Sequence, residues 1–238
     1  MSKLKSIVLK FAGPLQSWGT QSHFESRHTD LYPSKSGVVG LLAASLGYRR
    51  DQTEDIQALN QLDFAVRVDQ EGGLRHDYQT AHKYKANGQP DRTYVTNRYY
   101  LEDAVFLVAL SHADEEFMAK IAQALKQPYF QPYMGRRSLP LPLDFIIAET
   151  DLGAVETLQS LDWQAAPWYQ RQHSRILDAY ADAGLIEDAK REQWRKDLVV
   201  SFDQKNRHFQ TRRELKFQIE LPSLIQETEH DAFGELGG

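Results

Sequence analysis

The sequence contains no cysteine among its 238 residues. This absence excludes disulfide bonds, thiolate metal sites and cysteine nucleophiles together. No apolar run approaches the roughly 20 residues that span a bilayer, and the IVL run at residues 7–9 is too short for the core of a signal peptide. We therefore expect a cytoplasmic protein with no membrane partner. Its 41% hydrophobic content is enough for one core or for two small ones.

Motifs for metals and cofactors are also missing. The eight histidines show no H-E-x-x-H or H-x-H spacing, so we predict neither a metal site nor a cofactor. The segment YPSKSGVVGLLAASLG at residues 32–47 has a Lys-Ser pair and a glycine-rich run. However, Pro33 and Ser34 precede Lys35 where a Walker A loop needs glycine. The sequence therefore excludes a nucleoside triphosphate site of that kind.

The formal net charge of −5 is unevenly distributed along the chain. All 28 basic residues but only 28 of the 33 acidic ones lie before residue 217, so an acidic tail carries the whole imbalance. Residues 1–50, in contrast, are locally basic. Because phosphates respond to a local field, this distribution permits a nucleic-acid partner, although an ordinary mixed surface would give the same counts.

Before residue 150 the patterns follow the order strand, helix, strand, strand, helix, strand. Ile7, Leu9 and Phe11 alternate in the first strand, an apolar helix covers residues 38–46, and FAVRVD at 64–69 is the second strand. Two β-rich arms around Asn87 and Gly88 predict a long hairpin at about residues 74–100. This order predicts an α+β fold, a ferredoxin-like (RRM-like) domain with a β-hairpin thumb.

Residues 151–238 predict a small C-terminal lobe that is rich in β-structure and ends in the acidic tail. Its expected elements are a helix over 152–161, a charged helical stretch over 176–196, and strands at 198–202 and 214–221. We therefore expect a domain boundary near residue 150.

Two segments have side chains suited to phosphates. Ser34 and Ser36 begin the apolar helix beside Lys35, so free N–H groups, hydroxyls and an ammonium could bind one backbone phosphate. The alternative is that the serines only cap a core helix. In PYMGRRSLPL, at residues 132–141, Gly135 permits a tight turn and Arg136 offers forked donors. The alternative there is a solvated turn whose arginines pair with distant acids.

Catalytic patterns are weak. His82, Lys83 and Tyr84 are residue types that a metal-independent ribonuclease uses for acid–base catalysis and charge stabilisation. Consecutive residues of a strand point to alternate faces, however, so these three cannot converge on one bond. We interpret them as surface residues of the hairpin.

Taken together, four segments in order resemble the CasD subunits of type I-E CRISPR Cascade, which belong to the RAMP group of RNA-binding proteins. They are FAGPLQSWG at 11–19, residues 32–47, DYQTAHKY at 77–84 with its hairpin, and PYMGRRSLPL, and RHFQTRRE at 207–214 resembles the family's final segment. The resemblance implies a subunit that binds the 5′ handle of the mature CRISPR RNA (crRNA). It also implies contacts with the CasC backbone subunit, the large CasA subunit that recognises the target DNA, and other Cascade subunits.

The resemblance also implies an RNA-binding surface and places the thumb against CasC and the guide. Combined with the basic and aromatic residues of the same segments, the predicted RNA-binding set is Gln16, Trp18, Arg27, Ser34, Lys35, Ser36, Lys83, Arg92, Arg98, Tyr129, Tyr133, Gly135, Arg136, Arg137 and Ser138.

The alternative function is a metal-independent endoribonuclease that cleaves CRISPR repeat RNA, as a related branch does in type I-C systems. Its catalytic candidates here would be His28, Tyr32, His82 and Lys83. That branch has a Tyr a few residues before its helix-start proline motif, where this sequence has His28. In type I-E systems a separate CasE subunit cleaves the repeat, so we predict a non-catalytic subunit.

Overall fold

The computed structural model describes residues 4–20, 25–186 and 192–222. The strands are β1 (Lys5–Ala12), β2 (Leu15–Gln16), β3 (Ser26–Arg27), β4 (Asp63–Gln70), β5 (Gly73–Tyr84), β6 (Pro90–Glu102), β7 (Val105–His112), β8 (Ile146–Thr150), β9 (Ile176–Asp182), β10 (Glu192–Ser201) and β11 (His208–Glu220). The helices are α1 (Lys35–Ser45), α2 (Thr53–Ala58), α3 (Glu115–Lys126), α4 (Ala154–Ser160) and α5 (Pro167–Gln170). None of the helices within these described ranges is long and apolar enough to cross a membrane.

The main sheet has seven strands in the order β10-β11-β9-β4-β7-β1-β8, and every neighbouring pair is antiparallel. The four strands β4-β7-β1-β8, with α1 after β1 and α3 after β7, have the order of a ferredoxin-like fold. The α+β, ferredoxin-like prediction is therefore confirmed.

Successive side chains of the central strands point to opposite faces of the sheet, and a hydrophobic core lies on each face. In β1, Ile7, Leu9 and Phe11 pack in the cluster under α1 and α3, whereas Val8 packs in the cluster under α4. Helix α1 is buried on nearly all sides, as its apolar sequence predicts. It ends at Ser45, and Gly47, two residues later, has a φ of +81° in the left-handed region that favours glycine.

The C-terminal strands continue this sheet, because β9 pairs with β4. Within the described ranges they therefore do not form a sheet of their own, and residue 150 does not separate two sheets. The charged helix predicted over residues 176–196 is wrong, since β9 and β10 lie there. Leu177, Ala179 and Ala181 are buried at the two-residue period of a strand, with Asp178 and Tyr180 between them. The first residues of the predicted acidic tail, 217–220, belong to β11, and the tail from residue 223 lies outside the described residues.

Strands β5 and β6 form the long hairpin, paired from Gly73 opposite Glu102 to Tyr84 opposite Pro90. Its outer part is exposed on both faces. Gly88 has a φ of +80° at the tip, where its N–H donates to Lys85 O at 2.9 Å. At the base, β2 and β3 pair with β6, so a small second sheet joins the hairpin to the domain.

Candidate functional site

A cleft of about 460 Å³ lies at the start of α1. Four separate segments meet there: the loop after β2, the segment leading into α1, the loop after α3, and the turn between β10 and β11. Its lining residues are Ser17, Trp18, Gly19, Arg27, His28, Ser34, Ser36, Gly37, Gly135, Phe202 and Arg207. Because most of the motifs noted in the sequence contribute to it, this cleft is the candidate site.

Gly135 allows the loop after α3 to approach the cleft. Its φ is +83°, and a Cβ at this position would lie 1.6 Å from Ser17 O. The Ser17 N–H also donates to Met134 O at 3.2 Å, so the two backbones are in direct contact. A side chain at residue 135 would push these backbones apart, which explains why the turn uses glycine.

Arg136 joins the loop after α3 to the small sheet. Its Nη2 donates to Arg27 O at 2.9 Å and to Tyr99 O at 3.0 Å, and its guanidinium carbon lies 4.2 Å from the Tyr100 ring centroid. Burial lowers the pKa of Arg136, and the charges of Arg98 and Arg27 lower it further. Arg136 Nη1 and Arg98 Nε are buried without a hydrogen-bond partner among the described residues. This part of the site is therefore positively charged and short of acceptors.

Arg207 lines the cleft from the turn between β10 and β11. Arg207 lies over the Phe209 ring, at 5.2 Å from its centroid. Burial and the charge of Arg50 lower the pKa of Arg207. Arg27 and Arg207 line the cleft, Arg98 and Arg136 contact Arg27 through strand pairing and a hydrogen bond, and Arg137 follows Arg136 in the chain. We refer to these five residues as the cleft arginines. Across the described ranges of the chain none of them forms an ion pair with a carboxylate.

The residues at the start of α1, predicted to bind a phosphate, are already engaged by other groups of the protein. Ser34 accepts from the Gly37 N–H at 3.2 Å and is therefore the helix cap. Lys35 is 4% exposed, and its Nζ donates to Asp182 Oδ2 and Leu62 O, both at 2.8 Å. The Lys35 N–H donates to Asp197 Oδ2 at 2.8 Å. A protein carboxylate thus already faces the helix N-terminus, and the predicted role of Lys35 as an RNA ligand is corrected to a structural one.

Lys35 belongs to a cluster that we call the buried ion network: Asp30, Lys35, Asp182, Arg195, Asp197, Arg212 and Glu214. Burial opposes ionisation of Glu214, but Arg195 and Arg212 lower its pKa below the ordinary value. Although burial opposes its charge as well, Arg212 has a raised pKa because Asp197, Glu214 and Asp182 surround it. The network joins α1 to β9, β10 and β11.

The RHFQTRRE segment therefore serves two purposes: Arg207 reaches the cleft, whereas Arg212 and Glu214 hold the C-terminal strands. Sequence inspection missed the second role. Residues two apart on a strand share a face, which is the local signal, but the partners Asp182 and Asp197 are remote in sequence.

Gln16 and Trp18 are also corrected from RNA ligands to structural residues. Gln16 is fully buried, and its Nε2 donates to Ala104 O at 2.6 Å and to Phe11 O at 3.2 Å. Trp18 is 2% exposed and donates from Nε1 to Gln16 Oε1 at 3.0 Å. Their buried hydrogen bonds hold the loop that forms one wall of the cleft, so neither side chain is available to a ligand.

The five remaining residues of the predicted RNA-binding set are not lining residues of the cleft. Tyr129 is 74% exposed and packs beside Gly47 at the far end of α1, about 16 Å from its start at 1.5 Å per residue. Lys83 and Arg92 lie opposite each other on the outer hairpin. Tyr133 bridges to Pro140 and is half-buried, and Ser138 is exposed in the same loop. Only this last pair adjoins the cleft, through Gly135.

The four nuclease candidates are not brought together. The Tyr32 hydroxyl donates to Glu214 Oε2 at 2.7 Å, its ring stacks on Tyr180 at 3.7 Å, and burial raises its pKa. His82 contacts Thr93 on the hairpin. His82 lies six residues, or about 20 Å at the rise of a strand, along β5 from His76 near the base of the hairpin. His28, in contrast, lines the cleft. The described part of the chain also contains no cluster of three or more His, Asp or Glu that could hold a metal ion.

The family of the chain follows from comparison with known proteins. A family model described as "CRISPR-associated protein (Cas_Cas5)" matches residues 6–214. The chain belongs to this Cas5 family. The match covers both the ferredoxin-like part and the C-terminal strands that continue its sheet, so the Cas5 assignment applies to nearly all of the described structure.

Individual relatives agree with the Cas5 assignment. The CRISPR system Cascade subunit CasD of Escherichia coli (strain K12) is 39% identical over 150 residues, an alignment that spans 57% of this chain and 66% of that protein. A chain of a solved CRISPR RNA-guided surveillance complex superposes with a TM-score of 0.76 at 32% identity, covering 92% of this chain and 91% of that one. A second solved Cas protein gives 0.64 at 28% identity, covering 92% and 98%. The resemblance to CasD subunits is therefore confirmed.

Proposed function

We propose that this Cas5-family protein is a non-catalytic, RNA-binding subunit of a type I-E CRISPR surveillance complex. The similarity to a Cascade subunit and to a chain of an RNA-guided complex supports this role. In this role the cleft binds the 5′ handle of the crRNA. The neighbouring proteins are the CasC backbone, the large CasA subunit and the other Cascade subunits, and target DNA is reached only through the complex.

The observation that carries the proposal is the set of unpaired cleft arginines. Guanidinium groups that are partly desolvated and lack carboxylates favour an external anion, and RNA phosphates accept the forked hydrogen bonds that arginine offers. Ser36 adds a hydroxyl group at the same wall, beside the capped helix start. The proposed ligand is a single strand, because proteins that recognise RNA by sequence mostly bind single-stranded segments.

The hairpin is the proposed contact with CasC and the guide. Tyr78 and Tyr84 are about 60% exposed, and Leu74 is 62% exposed, although they lie on paired strands. Lys83 and Arg92 lie opposite each other on the other face of the hairpin from Leu74 and Tyr78, and Lys83 pairs with Asp91 at 3.3 Å. Exposed apolar and aromatic side chains on a projecting element are typical of a protein interface, because burial on assembly stabilises them.

The absence of catalysis is part of the proposal. It is supported by the positions of the four nuclease candidates, since Tyr32 is engaged with Glu214 while His82 and Lys83 lie out on the hairpin. A general base must reach the proton that it abstracts, directly or through one water.

The test is to incubate labelled CRISPR repeat RNA with the purified protein in chelator and to run native and denaturing gels. We expect a shifted, intact RNA, with weaker binding by the Arg136→Ala, Arg137→Ala double variant. The matched control is Arg213→Ala, which removes an exposed arginine paired with Glu192 and should leave binding unchanged. A discrete shorter product that forms in chelator would instead identify the protein as the processing nuclease.

A further inference from the structure

Three aromatic rings form a ladder across the small sheet at the base of the hairpin. The rings of His28 and Tyr99 stack with centroids 5.1 Å apart and planes 11° apart, and those of Tyr99 and His76 stack at 4.8 Å and 19°. The ladder follows the strand pairing, because His76 lies opposite Tyr99 and His28 directly follows β3, which pairs with β6. His28 lines the cleft, so the ladder runs from the cleft wall to the edge of the hairpin.

The outer end of this ladder is exposed and held in a fixed orientation. His76 lies on β5, which in the described structure pairs only with β6 and is therefore an edge strand. Its ring is exposed, and its Nε2 lies 2.9 Å from Asn97 Oδ1, a hydrogen bond that fixes the ring plane. Tyr78, two residues along the same face of β5, is 60% exposed. The sheet thus presents a preorganised aromatic face beside a positively charged cleft.

These two features complement each other chemically. Arginines bind the phosphates of any nucleic acid, whereas an aromatic face binds only a base that is not already stacked in a duplex. Proteins that bind single strands commonly combine a basic groove with rings on which bases stack. Cross-strand ring pairs also stabilise hairpins, but that role requires only contact between the rings and not an exposed outer face.

We propose that the ladder is a base-stacking platform, on which one unpaired base of a single-stranded RNA held by the cleft arginines stacks against the His76 ring. The inference rests on the proposed function and adds to it the class of ligand: a strand with a base turned out of its neighbours' stack. His76 is the contact residue, and Tyr99 and Asn97 are positioning residues.

The experiment uses the full-length protein and single-stranded repeat RNA in which 2-aminopurine replaces one base at a time. One position should be strongly quenched on binding. His76→Ala should abolish that quenching and weaken affinity about tenfold, the effect of losing one stacked base. His76→Phe should restore part of both, because it keeps a ring on which a base can stack but loses the hydrogen bond to Asn97 that fixes the ring plane. The matched control is His173→Ala, an exposed histidine whose ring stacks on Tyr169 at 3.6 Å outside the cleft and the hairpin. Thermal unfolding of each variant checks the fold.

The outcomes separate this inference from the proposed function. If the wild type binds RNA but no position is quenched, or if quenching is the same in His76→Ala, the platform is wrong and the RNA-binding role stands. If His76→Ala leaves RNA binding intact but loses assembly with the other subunits, the ladder is a protein contact and the inference is overturned. If the wild type does not bind RNA at all, both proposals fail.

Discussion

Arginine side chains occupy two opposite environments, one in the buried ion network and the other among the cleft arginines. In the network, neighbouring carboxylates raise the pKa of Arg195 and Arg212 even though burial opposes the charge. In the cleft, burial and other arginines lower the pKa of Arg136 and Arg207. Arg136 is partly buried, as Arg195 and Arg212 are more fully, so what differs for it is the presence of a counter-ion. The fold supplies the counter-ions in the network, and a bound anion would supply them in the cleft.

Lys35 shows why this comparison matters for assigning function. It lies between two cleft-lining serines, inside a motif that resembles the family's RNA-binding segment, yet its ammonium pairs with Asp182 in the network. A position in a motif therefore does not decide between a ligand contact and a structural one. The presence of a carboxylate partner does. This distinction can be tested by substituting residues of the network and, separately, residues of the cleft.

The largest expected effect comes from removing the counter-ion inside the network. Glu214→Gln keeps the side-chain volume but leaves Arg195 and Arg212 with one carboxylate fewer in a buried site. Breaking a buried ion pair from one side costs about 3–5 kcal/mol, so urea unfolding should show a loss of that order. RNA affinity of the folded fraction should not change.

The control for Glu214→Gln is Glu192→Gln, which removes an exposed carboxylate paired with Arg213. It should shift the free energy of unfolding by less than about 1 kcal/mol, as exposed pairs do. Equal effects of the two substitutions would contradict the idea that the network stabilises the C-terminal strands.

A smaller loss is expected for Lys35→Met. Asp182 retains Arg212 as a partner, but Leu62 O loses a buried donor, and an unsatisfied buried group costs about 1–3 kcal/mol. The protein should bind RNA with unchanged salt dependence once folded. A reduced salt dependence with normal stability would return Lys35 to the RNA-binding surface.

The smallest expected effect is a pH dependence that Glu214 adds to stability. Its pKa is lowered in the folded state, so its contribution is complete above the unfolded pKa of Glu, about 4.3, and is lost as pH falls through the lower folded value. The difference in unfolding free energy between wild type and Glu214→Gln should therefore shrink with acidification in that window. A difference that stayed constant from pH 7 to pH 3 would contradict the lowered pKa.

Local patterns in the sequence were enough for the ferredoxin-like order and for the cap of α1. Alternation in β1 depends on near neighbours, so the residues alone predict it, and they also predict a serine cap, although they left open whether Ser34 or Ser36 is the cap and whether the serines bind a phosphate instead. The turn at Gly135 could be predicted for the same reason, although its contact with Ser17 could not.

Remote contacts explain what the sequence did not reveal. Lys35 points inward because of Asp182, which lies 147 residues away in the chain. Only the start of β10, up to residue 196, was predicted as helix, because residues such as Arg195 are charged; the burial of Arg195 in the network makes it a core residue. Similarly, Gln16 and Trp18 match a family motif but support the cleft wall from inside, which only the hydrogen bonds to Phe11 and Ala104 reveal.

The most direct test of the contrast between the buried ion network and the cleft arginines is the salt dependence of RNA affinity. Each phosphate contact with a single strand contributes about 0.7 to the slope of log K against log salt concentration. The Arg136→Ala, Arg137→Ala double variant should therefore lower the slope by about 1.4, and Arg207→Ala by about 0.7, while Lys35→Met leaves it unchanged. An unchanged slope in the arginine variants, or a lowered one in Lys35→Met, would contradict the account.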